Sequence, residues 1–208
     1  MTDWRTLSEQ VRSRVLAANA GTAVAFAALT AERLMRLDPQ GLPFTQGLRP
    51  LLDLVWRAAA GDQTAFKPIA VALGGFYMSE YCHNDGQTGP ADADDDPAAA
   101  TLFAAECFLH AEPVFAAHVA GRAIDAADYR VELGSGDYTG DEAIGFDPDA
   151  AIGAEVRQQL ADLDALAPYA TKLSHARFGL PVDEHELLLD ALRDLVTAPT
   201  PTPSASKD

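Results

Sequence analysis

From Ala17 to Ala31 the chain carries no charged residue, and the stretch then meets Glu32 and Arg33. The segment Thr22 to Leu37 predicts a helix in which Val24, Phe26, Ala28, Leu29, Leu34 and Met35 cover almost every side. A helix with so little polar surface is stable only when other elements surround it. The uncharged run falls short of the roughly 18 residues that a membrane span needs. The reading is therefore a buried helix at the centre of a globular domain, with Phe26 and Leu29 or Leu34 nearly fully buried.

The rest of the chain supplies helical neighbours. Alanine, leucine and arginine are common, and isoleucine is confined to Ile69, Ile124, Ile144 and Ile152. Strong helix formers dominate, and no stretch alternates apolar and polar residues over strand length. Trp4 to Ala18 predicts a first helix with Leu7, Val11, Val15 and Leu16 along one stripe, and a turn at Asn19–Gly21 follows. Asp38-Pro39 ends the central helix. Pro50 opens a third, where Leu48, Leu51, Leu52, Val55, Trp56 and Ala59 keep helical spacing up to Gly61-Asp62. Ile69 to Leu73 fits either a helix or a buried strand, and a short helix beginning at Pro68 is the preferred reading. Asp96-Pro97 and Asp147-Pro148 each pair an N-cap with proline at the first helical position. The helices they start run to about His110 and Pro168. Between them Glu112-Pro113 restarts a helix to about Leu133, rich in small residues that let a neighbouring backbone approach. A short helix covers Tyr169 to Phe178. Asp183 and Glu186 have capping-box-like spacing ahead of a last helix with Leu188, Leu192, Leu195 and Val196. These elements predict an all-α, single-domain bundle over residues 4–197, with seven to eight mostly antiparallel helices. The Pro/Thr/Ser-rich stretch 198–208 is expected to be a disordered tail.

Charge narrows the function classes. With 31 acidic and 15 basic residues the formal net charge is −16. Neutralising phosphates takes clustered lysine and arginine, so neither nucleic acid nor an anionic membrane is an expected partner. A basic protein is a compatible one. Cys82 and Cys107 are too few for a disulfide framework. The start Met1-Thr2-Asp3-Trp4-Arg5 lacks the basic and apolar regions of a signal peptide. A cytoplasmic location with reduced thiols is expected.

No constellation of residues names a reaction, so no catalytic residue, cofactor or metal is assigned. Cys82-His83, Asp85, Cys107 and His110 lack the paired spacing of a zinc site. Glu106 and His110 stand at i, i+4 without the second copy that a di-iron bundle requires, and read as a local pair at a helix end. Asp92, Asp94, Asp95 and Asp96 miss the spacing of a calcium loop. So do Asp137, Asp141, Glu142, Asp147 and Asp149. Gly134-Ser135-Gly136 is not a nucleophile elbow. His118, Arg122, Asp125 and Tyr129 fall at i, i+4, i+7 and i+11, a polar stripe that is either a binding face or a solvated face with Arg122 and Asp125 paired.

The stretch Ala25-Phe26-Ala27-Ala28-Leu29-Thr30-Ala31-Glu32-Arg33-Leu34-Met35 resembles the "Phe-Ala, then Ala/Cys-Glu-Arg-Leu/Met" helix of the YjaG-like bacterial family of unknown function. A Leu-Asp-x-x-Trp helix follows there, and Leu51-Leu52-Asp53-Leu54-Val55-Trp56 stands here at a compatible distance. The likeness covers about Leu7 to Leu166 and departs after Pro168. It implies an all-α fold and brings no established catalytic residues. The same helix is similar to that of some all-α immunity proteins of bacterial polymorphic-toxin systems. Glu32 and Arg33, charged on an apolar helix, are expected to be paired.

Two functions with a site follow as expectations, beside a structural or accessory protein with no site at all. The first is an acidic protein-binding module, including an immunity-type inhibitor of a basic toxin or enzyme. It would bind through Asp92, Asp94, Asp95, Asp137, Asp141 and Glu142, since charge of one sign steers a basic partner. The alternative is a small-ligand-binding or enzymatic helical protein with a pocket lined by Glu32, His118, Arg122, Asp125 and Tyr129.

Overall fold

The computed structural model describes residues 3–37, 43–79, 96–134 and 148–197. The described residues are helical almost throughout and include no strand. In chain order the helices are α1 (Trp4–Ala17), α2 (Ala20–Leu37), α3 (Pro43–Gly47), α4 (Arg49–Ala59), α5 (Phe66–Tyr77), α6 (Asp96–His110), α7 (Pro113–Gly134), α8 (Pro148–Leu166), α9 (Ala170–Ala176) and α10 (Val182–Thr197). Single 3-10 turns at Gln63–Ala65 and Ala167–Tyr169 lead into α5 and α9. The all-α bundle is as the sequence predicts. The tail 198–208 and nearly all of the two acidic loops lie outside the described residues.

Helix α2 is the centre. It packs against α4, α6, α7, α8, α9 and α10. Phe26 is 0 %, Leu34 1 % and Leu29 2 % exposed, as its all-round apolar surface requires. Truncating Phe26 to alanine would cost about 3–5 kcal/mol, the usual range for a large buried ring. Helices α6 and α7 pack on α2 and on each other, and their buried faces are rich in alanine. Ala98, Ala100, Ala104 and Ala105 of α6 and Ala116, Ala120, Ala123 and Ala126 of α7 are all buried.

Several local expectations are corrected. The expected break between α1 and α2 is present at Ala18 and Asn19, but it stops short of Gly21. Asn19 caps α2, accepting the Thr22 N–H on its side-chain oxygen at 2.9 Å, and Gly21 lies inside the helix. Glycine is needed there for a different reason: a Cβ at Gly21 would fall 2.0 Å from the Leu173 carbonyl oxygen of α9. Leu16 leaves the α1 stripe and is 43 % exposed, because Leu7, Val11 and Val15 already occupy the i, i+4, i+8 line. Helix α5 begins at Phe66 rather than Pro68. The 3-10 turn before it, capped by Asp62 accepting from the Thr64 N–H, feeds directly into it. Asp183 is no cap, because α10 starts one residue earlier at Val182 and the Pro181 carbonyl accepts from Glu184 and His185.

A salt-bridged cleft between α2, α4 and α10

Glu32 and Arg33 are neighbours on α2, and a 100° helical step sends them to different partners. Arg33 turns toward α8. Its guanidinium donates to Glu155 at 2.8 Å and to Asp162 at 2.6 Å. Gln158 also donates to Asp162 and Gln159 to Glu155. Burial pushes the Asp162 carboxyl above its usual range, with the Glu155 charge adding to it, and the opposing Arg33 and Gln158 contacts do not fully offset this. The paired, structural reading of Arg33 is what the structure shows.

Glu32 turns toward α4. Its side chain is 9 % exposed and accepts from Arg36 Nε at 2.8 Å and Arg49 Nη1 at 2.6 Å. The indole Nε1–H of Trp56 donates to it at 3.4 Å. Burial raises its pKa, but the hydrogen bonds and positive charge of Arg36 and Arg49 outweigh that, and the net shift is below the ordinary glutamate value. The carboxylate is therefore ionised at neutral pH and holds two arginines by one anchor. Beyond it Arg193 of α10 donates to Asp53 of α4 at 3.2 Å. Glu32, Arg36, Arg49, Asp53, Trp56, Arg193 and Asp194 line an open cleft of about 390 Å³. A smaller recess of about 130 Å³ lies between α1, α7 and α8, lined in part by Val11, Gly121 and Gln159.

The polar stripe on α7 does not join that cleft. His118 is exposed, with its ring beside those of Phe103 and Phe115 at centroid distances of 5.3 and 6.4 Å. Arg122 reaches Asp96 at 3.3 Å and Asp125 at 4.0 Å, so it joins α7 to the start of α6. Asp125 is exposed and Tyr129 half-buried. Of the five residues expected to line one pocket, Glu32 alone lines the cleft. The expected partner-binding residues Asp92, Asp94, Asp95, Asp137, Asp141 and Glu142 lie outside the described residues. Glu106 and His110 form the local pair expected of them, at 2.9 Å, and the Tyr77 hydroxyl also donates to Glu106. The Cys107 thiol is buried, which with the nearby Glu112 charge pushes its pKa up to about 12 despite a hydrogen bond from the Ala116 backbone. Cys82 lies outside the described residues.

Sequence reasoning missed Arg36, Arg49, Asp53, Trp56 and Arg193 as a group. The i, i+4 spacing of Glu32 and Arg36 was the available signal; the approach of α10 has no local one. It also missed the outer face of α10. There Leu187 stands 68 % exposed on the stripe Asp183, Leu187, Asp190 and Asp194, while Val182 is 63 % and the preceding Phe178 is 76 % exposed. The helix carries five carboxylates against one arginine.

Among the described residues no three histidine, cysteine, aspartate or glutamate side chains gather as metal ligands, and no helix is long and apolar enough to cross a membrane. Compared with protein-family models, curated proteins and solved structures, the chain matches none.

Proposed function

We propose that this chain is a protein-binding module for a basic partner, of the immunity type or another inhibitor, and that the outer face of α10 is a docking surface. The observation that carries the reading is the placement of exposed Leu187 among Asp183, Asp190 and Asp194, with Val182 and Phe178 exposed close by in the chain. Phe178, Val182 and Leu187 are among the large apolar side chains that the surface displays, and Leu187 is the one that stands on the acidic stripe. A partner that covers them must also meet the carboxylates, so it presents lysine or arginine around an apolar centre. A second copy of the chain is a poor occupant, because an isologous contact would set one acidic face against another. The net charge of −16 favours the same partner through long-range steering. The resemblance of the Ala-Glu-Arg helix to those of YjaG-like and immunity proteins agrees with this reading.

The test places a photo-crosslinking residue at Leu187 and, as a control, at exposed Arg12 of α1, in the native cell. A basic protein joined from position 187 and not from position 12 is the expected result. The adduct should fade in the Asp183→Asn, Asp190→Asn variant and, when the captured partner is crosslinked again as a purified pair, near 1 M salt, where the screening length falls to about 3 Å. Equal adducts from both positions, or an acidic partner, would overturn the reading.

A further inference from the structure

The cleft between α2, α4 and α10 holds more hydrogen-bonding capacity than its own ion pairs consume. Arg36 uses only Nε on Glu32, Arg49 only Nη1 on Glu32, and Arg193 only Nη2 on Asp53. A guanidinium has five N–H donors in a planar fork, so most of the donors on these three side chains have no protein partner among the described residues. Arg36, Arg49 and Arg193 are between about a third and half exposed, so their forks are open to a ligand.

The charge distribution is lopsided. At one end two arginines share the single carboxylate of Glu32, an excess of one positive charge. At the other end Asp53 faces Arg193 through Oδ1 alone and leaves Oδ2 as an unused acceptor. Asp194 adds a carboxylate to the same lining. The volume of about 390 Å³ is within the range of small-molecule sites. Trp56 is 1 % exposed, so the cleft offers no aromatic face for a nucleobase to stack on.

We propose that this cleft binds a small amino-acid-like zwitterion, its carboxylate taken by Arg36 and Arg49 and its ammonium directed to Asp53. The planar guanidinium fork matches a carboxylate bidentately. A dianionic phosphate would bring a second negative charge toward Asp53 and Asp194 and is the poorer match. The cleft meets the docking face at Asp194, and ligand binding there stands whether or not a protein partner exists.

Titration of the full chain with each of the standard L-amino acids, read by the indole N–H resonance of Trp56, tests this. Acetate and inorganic phosphate serve as comparison probes, and the Trp4 indole as an internal control. At least one amino acid should move the Trp56 resonance saturably, at concentrations at least ten-fold lower than acetate or phosphate. Arg49→Gln should weaken that binding ten-fold or more, and Arg49→Lys should also weaken it while keeping the charge. Asp53→Asn should weaken the amino acid and leave acetate unchanged. Thermal midpoints check that each variant folds, and Asp125→Asn on α7 supplies a folded comparison. The proposal is overturned if no amino acid perturbs Trp56 up to tens of millimolar, if phosphate binds most tightly, or if folded Arg49 and Asp53 variants bind as the wild type does.

Discussion

Two helical glycines, Gly21 in the first turn of α2 and Gly121 inside α7, make opposite predictions when changed to alanine. In a helix interior alanine is favoured over glycine by about 1 kcal/mol. At Gly121 of α7 nothing lies within 4 Å of an added Cβ, so that gain should appear almost undiminished. At Gly21 the Cβ would lie 2.0 Å from the carbonyl oxygen of Leu173 and 2.5 Å from its carbon. Ordinary carbon–oxygen approach is about 3.3–3.6 Å, so α9 must retreat by more than about 1 Å. Both opposing atoms are backbone, and no side-chain rotation relieves the contact. The retreat would strain the bond from Asn19 Nδ2 to the Ala170 carbonyl, now 3.1 Å, and loosen buried Leu173 and Ala176. Overpacking of this kind costs about 1–3 kcal/mol, and a lost hydrogen bond about 1 kcal/mol more. The propensity gain is outweighed, leaving Gly21→Ala destabilised by about 1–3 kcal/mol. For a domain of this size each 1 kcal/mol moves the midpoint by about 2–4 °C. Differential scanning calorimetry of the two variants beside the wild type should show Gly121→Ala rising by about 2–4 °C and Gly21→Ala falling by at least as much. Two equal shifts, or a rise at Gly21, would refute the close packing of α9 on α2.

Three further outcomes follow from the buried polar groups. Arg33→Met should cost about 3–5 kcal/mol in chemical denaturation, since it strands Glu155 and Asp162 without a counter-charge. Adding Glu155→Gln and Asp162→Asn to it should recover part of that loss. Glu32 has its folded pKa below the ordinary 4.5, so its contribution is present above that value and is lost as pH falls through the folded pKa. Asp162 is shifted above its ordinary 3.8, so the folded state binds its proton more tightly and its contribution declines as pH rises through the raised value. Thermal midpoints between about pH 3 and pH 6 should therefore fall less steeply toward acid in Glu32→Gln than in the wild type, and Asp162→Asn should remove a loss on the rising side. In a Cys82→Ser variant, Cys107 should resist thiol reagents near pH 8 while native and react once unfolded, because its thiol is buried with a pKa of about 12.

The fold was legible where a local signal and burial coincide. The all-round apolar α2 had to be central, and the proline at the head of α7 and the spacing Leu51, Leu52, Val55, Trp56 on α4 mark elements that the structure contains. Legibility ended at long-range contacts that override a local preference. Asn19 and Gly21 read as a turn because both residue types favour turns. In the fold the first caps α2 and the second admits the backbone of α9, which lies about 150 positions further along the chain. Nothing within a few residues of Gly21 announces Leu173.

The same limit explains the candidate site. Sequence spacing grouped His118, Arg122, Asp125 and Tyr129 with Glu32 because each was polar on an otherwise small or apolar helix. Helical spacing guarantees only that residues on one helix share a face. It does not bring a stripe on α7 to a given face of α2, and the α7 residues instead meet Phe103, Phe115 and Asp96. The partners of Glu32 come from one turn away on its own helix, from α4, and across the cleft from α10. A carboxylate buried on an apolar helix does state a requirement: at 9 % exposure it has to find positive charge. The sequence therefore carried the demand for cations at Glu32, and the packing of α4 and α10 on α2 decided which arginines answer it and left their remaining donors facing an open cleft.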